Sequence, residues 1–264
     1  MTTMEQARGA GHESIGAAIR AANERGQPAL VGFMTAGFPT KEKFLAELPR
    51  IAAAADVVEI GVPFTDPMAD GMTIQRASHA ALQGGVSLAW ILTALQTLPT
   101  PPQAPLLLMS YLNPLLAYGL DRLPAAARAA GVAGFIVPDL PYEECADLRN
   151  ALETEGVGLV QMVSPVTPPE RLAMLCREAR GFIYAVTMTG TTGKSVAIPV
   201  EVETYLRQVR ALAPIPVCAG FGIRSAEQVS RLSPVVEGVV VGSALVEVLE
   251  RGEDPVVFLQ SLRP

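Results

Sequence analysis

Two carboxylates in an apolar setting are the residues of this chain best suited to chemistry. Glu59 stands inside the run Val57-Val58-Glu59-Ile60; Asp70 follows eleven residues later, beyond Pro63 and Pro67, with Asp66 between. A carboxylate in a half-buried strand is costly unless paired or protonated, so burial raises its pKa toward the range useful for proton transfer. Glu59 is therefore the candidate acid–base group, and Asp70 can fold back over the same strand end as a second carboxylate. Structural alternatives stay open here. Glu59 can pair with a buried arginine or cap backbone amides, and Asp66 and Asp70 can merely shape Asx turns before Pro67 and Gly71.

Three glycine clusters offer a second chemistry: Gly190-Thr191-Thr192-Gly193, Gly220-Phe221-Gly222 and Gly242-Ser243. Glycine lets backbone N–H groups approach an anion, and Ser243 opens a helical pattern, where free amides and the helix dipole favour negative charge. One such cluster means little; three in succession point to a phosphate seat. Gly193-Lys194-Ser195 shares its last residues with a nucleotide-binding P-loop, but that motif needs glycine where Met188 stands, which argues against ATP. No metal site is expected. His12 and His79 have no partner at ligand spacing, and Cys145, Cys176 and Cys218 are odd in number and lack a CxxC pair, as suits reduced thiols.

Eight short apolar runs must position these groups: Ala29 to Met34, Val57 to Ile60, Leu106 to Met109, Gly134 to Val137, Gly158 to Val163, Phe182 to Val186, Val217 to Ala219 and Gly238 to Val241. Each is followed by loop residues and a helical pattern, the sequence form of consecutive parallel βα units. Thr167-Pro168-Pro169-Glu170 reads as a capping box opening a helix whose Leu172, Leu175, Cys176 and Ala179 share one face; Ser225 to Gln228 repeats the capping logic. Eight units in one chain of 264 residues predict a single (β/α)8 TIM-barrel domain over residues 1–264, with an open doubly wound sheet as the alternative. An extra helix, about Ser14 to Asn23, precedes the first strand and can plug the barrel bottom. The glycine clusters follow strands six, seven and eight, and the carboxylates follow strand two, all at the end where barrels carry their chemistry.

Bulk properties narrow the function further. Half the residues are hydrophobic, 17% are charged, and no apolar stretch is long enough to span a membrane. A net charge of −6 with scattered Lys and Arg argues against a nucleic-acid partner. The segment Met1 to Ala10 has no apolar targeting core, so a cytoplasmic location is expected.

The stretch Val57 to Gly71 resembles the signature loop of the tryptophan synthase α subunit family. The likeness continues in Gly32-Phe33-Met34-Thr35-Ala36-Gly37, in Leu108-Met109-Ser110-Tyr111 with Asn113-Pro114, and in Val137-Pro138-Asp139-Leu140-Pro141. It implies a lyase of tryptophan biosynthesis that splits indole-3-glycerol phosphate into indole and glyceraldehyde 3-phosphate by retro-aldol chemistry. It further implies Glu59 and Asp70 as catalytic residues and Asp66 as a loop residue communicating with the partner. Phe33, Leu108, Ile136, Met162, Tyr184 and Phe221 would line the indole slot, and Gly193, Gly222, Gly242 and Ser243 would grip the phosphate. No cofactor is implied in this chain; pyridoxal phosphate belongs to a β subunit with which the family forms an α2β2 heterotetramer. Phe38, Met188, Thr191 and Lys194 depart from the family pattern. Competing expectations are a stand-alone lyase releasing free indole and a non-catalytic barrel that binds a phosphorylated metabolite.

Overall fold

The computed structural model describes residues 11–187, 199–220 and 222–264. Among them run nine strands, all parallel to their neighbours: β1 (Ala29–Thr35), β2 (Val57–Gly61), β3 (Leu106–Met109), β4 (Val132–Ile136), β5 (Gly158–Leu159), β6 (Gln161–Val163), β7 (Ile183–Val186), β8 (Val217–Gly220) and β9 (Gly238–Val241). Their order is β5-β4-β3-β2-β1-β9-β8-β7-β6. The two ends are halves of one predicted run: Gly158–Leu159 pairs with β4, Gln161–Val163 pairs with β7, and the Val160 N–H between them donates to the Phe135 carbonyl at 2.9 Å. Eight strand positions thus close a TIM barrel. Buried residues occupy all of β1, β2, β4 and β9, as expected for strands covered on both faces.

Cross-strand register divides the two faces. Phe33, Glu59 and Leu107 are aligned across β1, β2 and β3, so they share the inner face; Ile60, Leu108 and Phe135 are aligned on the outer one. β4 begins two residues before its predicted run. The cause is an extra residue, Ala133, because Leu106 pairs with Val132 while Leu107 already pairs with Gly134.

The helix before β1 does plug the barrel. It is α1 (Gly11–Glu24), longer than the predicted Ser14 to Asn23, and its Ile15, Ile19 and Ala22 pack on the inward residues Ala29, Val57, Leu107, Phe182 and Cys218. Ion pairs tie strand starts at this end: Asp56 accepts the Leu30 N–H and pairs with Arg25 and Arg263, and Glu237 accepts the Val217 N–H and pairs with Arg210. Helix starts agree with the capping expectation once and depart from it once. Ser225 accepts from Gln228 N–H, and Gln228 reaches back to the Arg224 N–H at 2.7 Å. The Thr167 cap is corrected: its hydroxyl accepts from Ser164 N–H in the preceding turn, so Pro168 is the cap residue of the helix Pro169–Glu178.

Candidate active site

Glu59 occupies the centre of β2, 3% exposed. Among the described residues its Oε2 has no hydrogen-bond partner and no cation pairs with it. Neither structural alternative, a buried ion pair or an amide cap, is present among the described residues. Burial, and secondarily the charge of Asp70, pushes its pKa up to about 8.

The loop after β2 is folded onto this carboxyl by short-range bonds. Ser78, on helix α3 (Met72–Gln83), accepts the Phe64 N–H at 2.9 Å and returns its own proton to the Phe64 carbonyl. Backbone turns follow, Met68 N–H to Asp66 O and Asp70 N–H to Pro67 O. The Tyr111 hydroxyl then accepts the Ala69 N–H at 2.8 Å, and Gln75 holds the Asp70 carbonyl. Asp70 ends 8% exposed, hydrogen-bonded through its side chain to Tyr111; burial raises its pKa to about 6 against that stabilising bond. Asp70 is therefore more than a turn former. Asp66 is different: it is exposed, its side chain accepts among the described residues only from the neighbouring Thr65 hydroxyl, and it lies outside the carboxylate pair.

Tyr111, quoted above only as part of a motif, is a site residue that sequence reasoning missed. It is 1% exposed with its ring 5.2 Å from Phe64, and burial and the Asp70 charge drive its own pKa upward. A tyrosine two residues past a strand end was the available signal.

Four of the five described residues expected in the indole slot lie on Glu59's side of the sheet. Phe33 is aligned with Glu59 itself; Ile136 belongs with the inward cluster, and Met162 and Tyr184 pack against it. Leu108 is corrected. Its register with Ile60 and Phe135 turns it toward the helix layer, where it is fully buried, and Met109 is the inward residue at that level. Two glycines open the slot. A Cβ on Gly61 would lie 2.6 Å from the Phe33 ring, and one on Gly220 would lie 2.7 Å from the Tyr184 hydroxyl. Burial, then the charges of Glu59 and Asp70, raises the pKa of Tyr184, which places all three groups in one electrostatic environment.

Of the residues expected to hold the phosphate, Gly222 takes φ +65°, a conformation open to glycine. Gly242 caps helix α11 (Ser243–Glu250), with open space where a Cβ would stand, and Ser243 is buried at its first turn. First-turn N–H groups have no intrahelical acceptor, so they are available to an anion. Gly193 and Phe221 lie outside the described residues. Among the described residues no group of His, Cys, Asp and Glu could hold a metal, and the three cysteines are free and buried.

A parallel (β/α)8 barrel with a water-excluded carboxylic acid, a second carboxyl nearby and, after its last strand, a helix whose first-turn amides have no intrahelical acceptor has the frame of an acid–base enzyme. The family model for the tryptophan synthase alpha chain matches residues 19–261, and the chain belongs to that family. It is 45% identical over 244 residues to the tryptophan synthase alpha chain of Nitratidesulfovibrio vulgaris (strain DP4), covering 92% of this chain and 95% of that one. The alpha chain of Chloroflexus aggregans is 42% identical over 228 residues, 86% of this chain and 85% of its own. Among solved structures, an aminoacrylate-bound tryptophan synthase from M. tuberculosis superposes with a TM-score of 0.84 at 32% identity, covering 94% of this chain and 97% of that one. The alpha subunit from Legionella pneumophila gives 0.82 at 30% identity, covering 94% and 96%. The alpha reaction is the lyase step of tryptophan biosynthesis, cleavage of indole-3-glycerol phosphate to indole and glyceraldehyde 3-phosphate.

Proposed function

We propose that Glu59 and Asp70 divide the work of this retro-aldol cleavage. The observation that carries the reading is a buried Glu59, unpartnered among the described residues, whose pKa of about 8 stands above that of Asp70, about 6. Near neutral pH the first carboxyl is protonated and the second ionised, the separation an acid and an anion stabiliser need. Glu59 delivers its proton to indole C3 while ionised Asp70 holds the ring N–H, where positive charge develops. Glu59, now a carboxylate, removes the proton of the adjacent chain hydroxyl. The C3–chain bond breaks as that oxygen becomes the aldehyde of glyceraldehyde 3-phosphate, the bonding electrons return to the ring, and Glu59 is protonated again.

Phe33, Ile136, Met162, Tyr184 and Phe221 form the apolar slot for the ring, and Gly193, Gly222, Gly242 and Ser243 take the phosphate. The step needs no cofactor in this chain. An alpha chain implies a β partner, and we assign it an α2β2 assembly in the cytoplasm, with pyridoxal phosphate in the β subunit and Asp66 on the partner-facing side of the acidic loop. No described helix is long and apolar enough to cross a membrane. The test is indole release from indole-3-glycerol phosphate, with and without a β subunit. Glu59→Gln is expected to lower turnover by at least about 10³-fold, near the upper range of acid–base contributions, with glycerol 3-phosphate binding retained. Wild-type turnover in that variant would overturn the assignment.

A further inference from the structure

Resting on that reading, the two ends of one substrate must be held at a fixed spacing: the phosphate at Gly222, Gly242 and Ser243, the indole N–H at Asp70. Small errors in such spacing are expensive for a reaction that depends on orientation. The barrel strands fix the seat, but Asp70 hangs on a loop whose far end is the start of α3. Something outside the strands has to register α3 against the seat.

One side chain touches all three elements. Glu247, on the second turn of α11 behind Ser243, receives both guanidinium ends of Arg224 at 2.8 Å each. Arg224 lies two residues beyond Gly222. The Thr73 hydroxyl, three residues beyond Asp70, donates to Glu247 Oε1 at 3.3 Å. One turn further along both helices the link repeats, Arg76 to Glu250 at 3.1 Å. Beneath these polar contacts Val246 packs with Phe33, Ala77 and Ile74, so α3 and α11 also meet through an apolar seam at the indole slot. Arg224, and then Thr73 and Arg251, keep Glu247 below the usual carboxylate range, so it stays ionised wherever the enzyme works.

We infer that Glu247 is a positioning residue: bonded to Arg224 behind the Gly222 turn and to Thr73 behind Asp70, it sets the spacing between anion seat and catalytic loop. It touches no reacting atom. Its removal therefore acts on the chemical step and not on the grip of the phosphate.

The test compares purified wild-type chain with Glu247→Ala, Glu247→Gln, Arg224→Ala and the Glu247→Ala/Arg224→Ala pair. Indole release and competitive inhibition by glycerol 3-phosphate are measured on each. Glu247→Ala is expected to lower kcat about fivefold to tenfold with the inhibition constant within about twofold of wild type, a misplacement effect well short of the loss of a catalytic group. Glu247→Gln, which can still accept from Arg224, recovers part of the rate, and the double variant is no slower than Glu247→Ala because the two residues act as one unit. A second readout needs no turnover: hydrogen exchange in the presence of glycerol 3-phosphate. In wild type, protection at the start of α11 extends to residues 64–76; in Glu247→Ala it stops at α11. Unchanged kcat together with unchanged exchange overturns the inference, as do fully additive losses or equal falls in kcat and anion affinity. A wild-type chain that binds glycerol 3-phosphate but releases no indole overturns the catalytic reading instead, and the exchange pattern still decides the role of Glu247.

Discussion

At Glu59 the folded chain holds a carboxyl where water is excluded and no cation among the described residues answers it, so folding itself favours the protonated form. An unfolded glutamate titrates at roughly 4.3. Between that value and about 8 the native state keeps a proton that the unfolded state has lost, so stability falls as pH rises through this window. Glu59→Gln removes the penalty. It is expected to melt above wild type, by at least ~2 °C at pH 8, where 1 kcal/mol corresponds to ~2–4 °C for a chain of this size. The gap should shrink toward zero near pH 4, and calorimetry showing the same gap at pH 4 and pH 8 would mean Glu59 is not the titrating group. Tyr111 supplies the complementary experiment. Its bond to Asp70 opposes the upward pull of burial, so Tyr111→Phe should move the Asp70 titration up and carry the acidic limb of the kcat/KM profile with it. A slower enzyme with an unmoved acidic limb would assign the Tyr111 hydroxyl to holding the loop through the Ala69 N–H, with no hand in the Asp70 titration.

Among the elements, α1 and α3 show what each end of the barrel is for. The plug formed by Ile15, Ile19 and Ala22 fills the closed end, away from the carboxylates. Ile19→Ala should cost ~2–5 kcal/mol of stability, the usual range for a fully buried isoleucine. Turnover per folded molecule should stay within about twofold in that variant; urea unfolding combined with active-site titration checks both. The strands were legible because buried parallel strands write themselves as continuous apolar runs. The same continuity hides which way each side chain faces. Leu106 to Met109 offers four apolar residues with no alternation, so only the cross-strand register and the extra residue at Ala133 show that Met109, not Leu108, turns inward. Glu59 was legible for the opposite reason: one carboxylate interrupts an apolar run. Tyr111 and Glu247 were not, because their roles arise from contacts with Ala69 and Thr73 across separations of 42 and 174 positions. The Thr167 pattern had two uses for one hydroxyl, and the turn to Ser164 took it.

For the molecule as a whole, the apolar side chains left in water fall mainly on one rim. Met68 and Met72 follow β2, Leu116 is on helix α5 (Leu112–Tyr118) after β3, Val166 follows β6, and Val200 opens the helix after β7. These are five of the seven large hydrophobics exposed among the described residues, and all five come after the C-terminal ends of strands, the end at which Asp70 and the start of α11 lie. Scattered single apolar residues need no explanation, but a shared rim around an active site does. A β subunit docked there would cover the acidic loop and receive indole without exposing it to bulk water. Met68, 80% exposed at the tip of that loop, is placed to be an anchor, and methionine is enriched in protein interfaces. Met68→Asp should raise the β-subunit concentration giving half-maximal stimulation of indole release by about tenfold or more, equivalent to a loss of at least ~1.4 kcal/mol at a contact centre. Val257→Asp, on helix α12 (Pro255–Ser261) packed beside α2 (Lys41–Ala54), should leave that concentration within about twofold. Titrating each variant with the β subunit and following indole release decides the matter: equal responses from the two variants would place the docking surface elsewhere on the barrel.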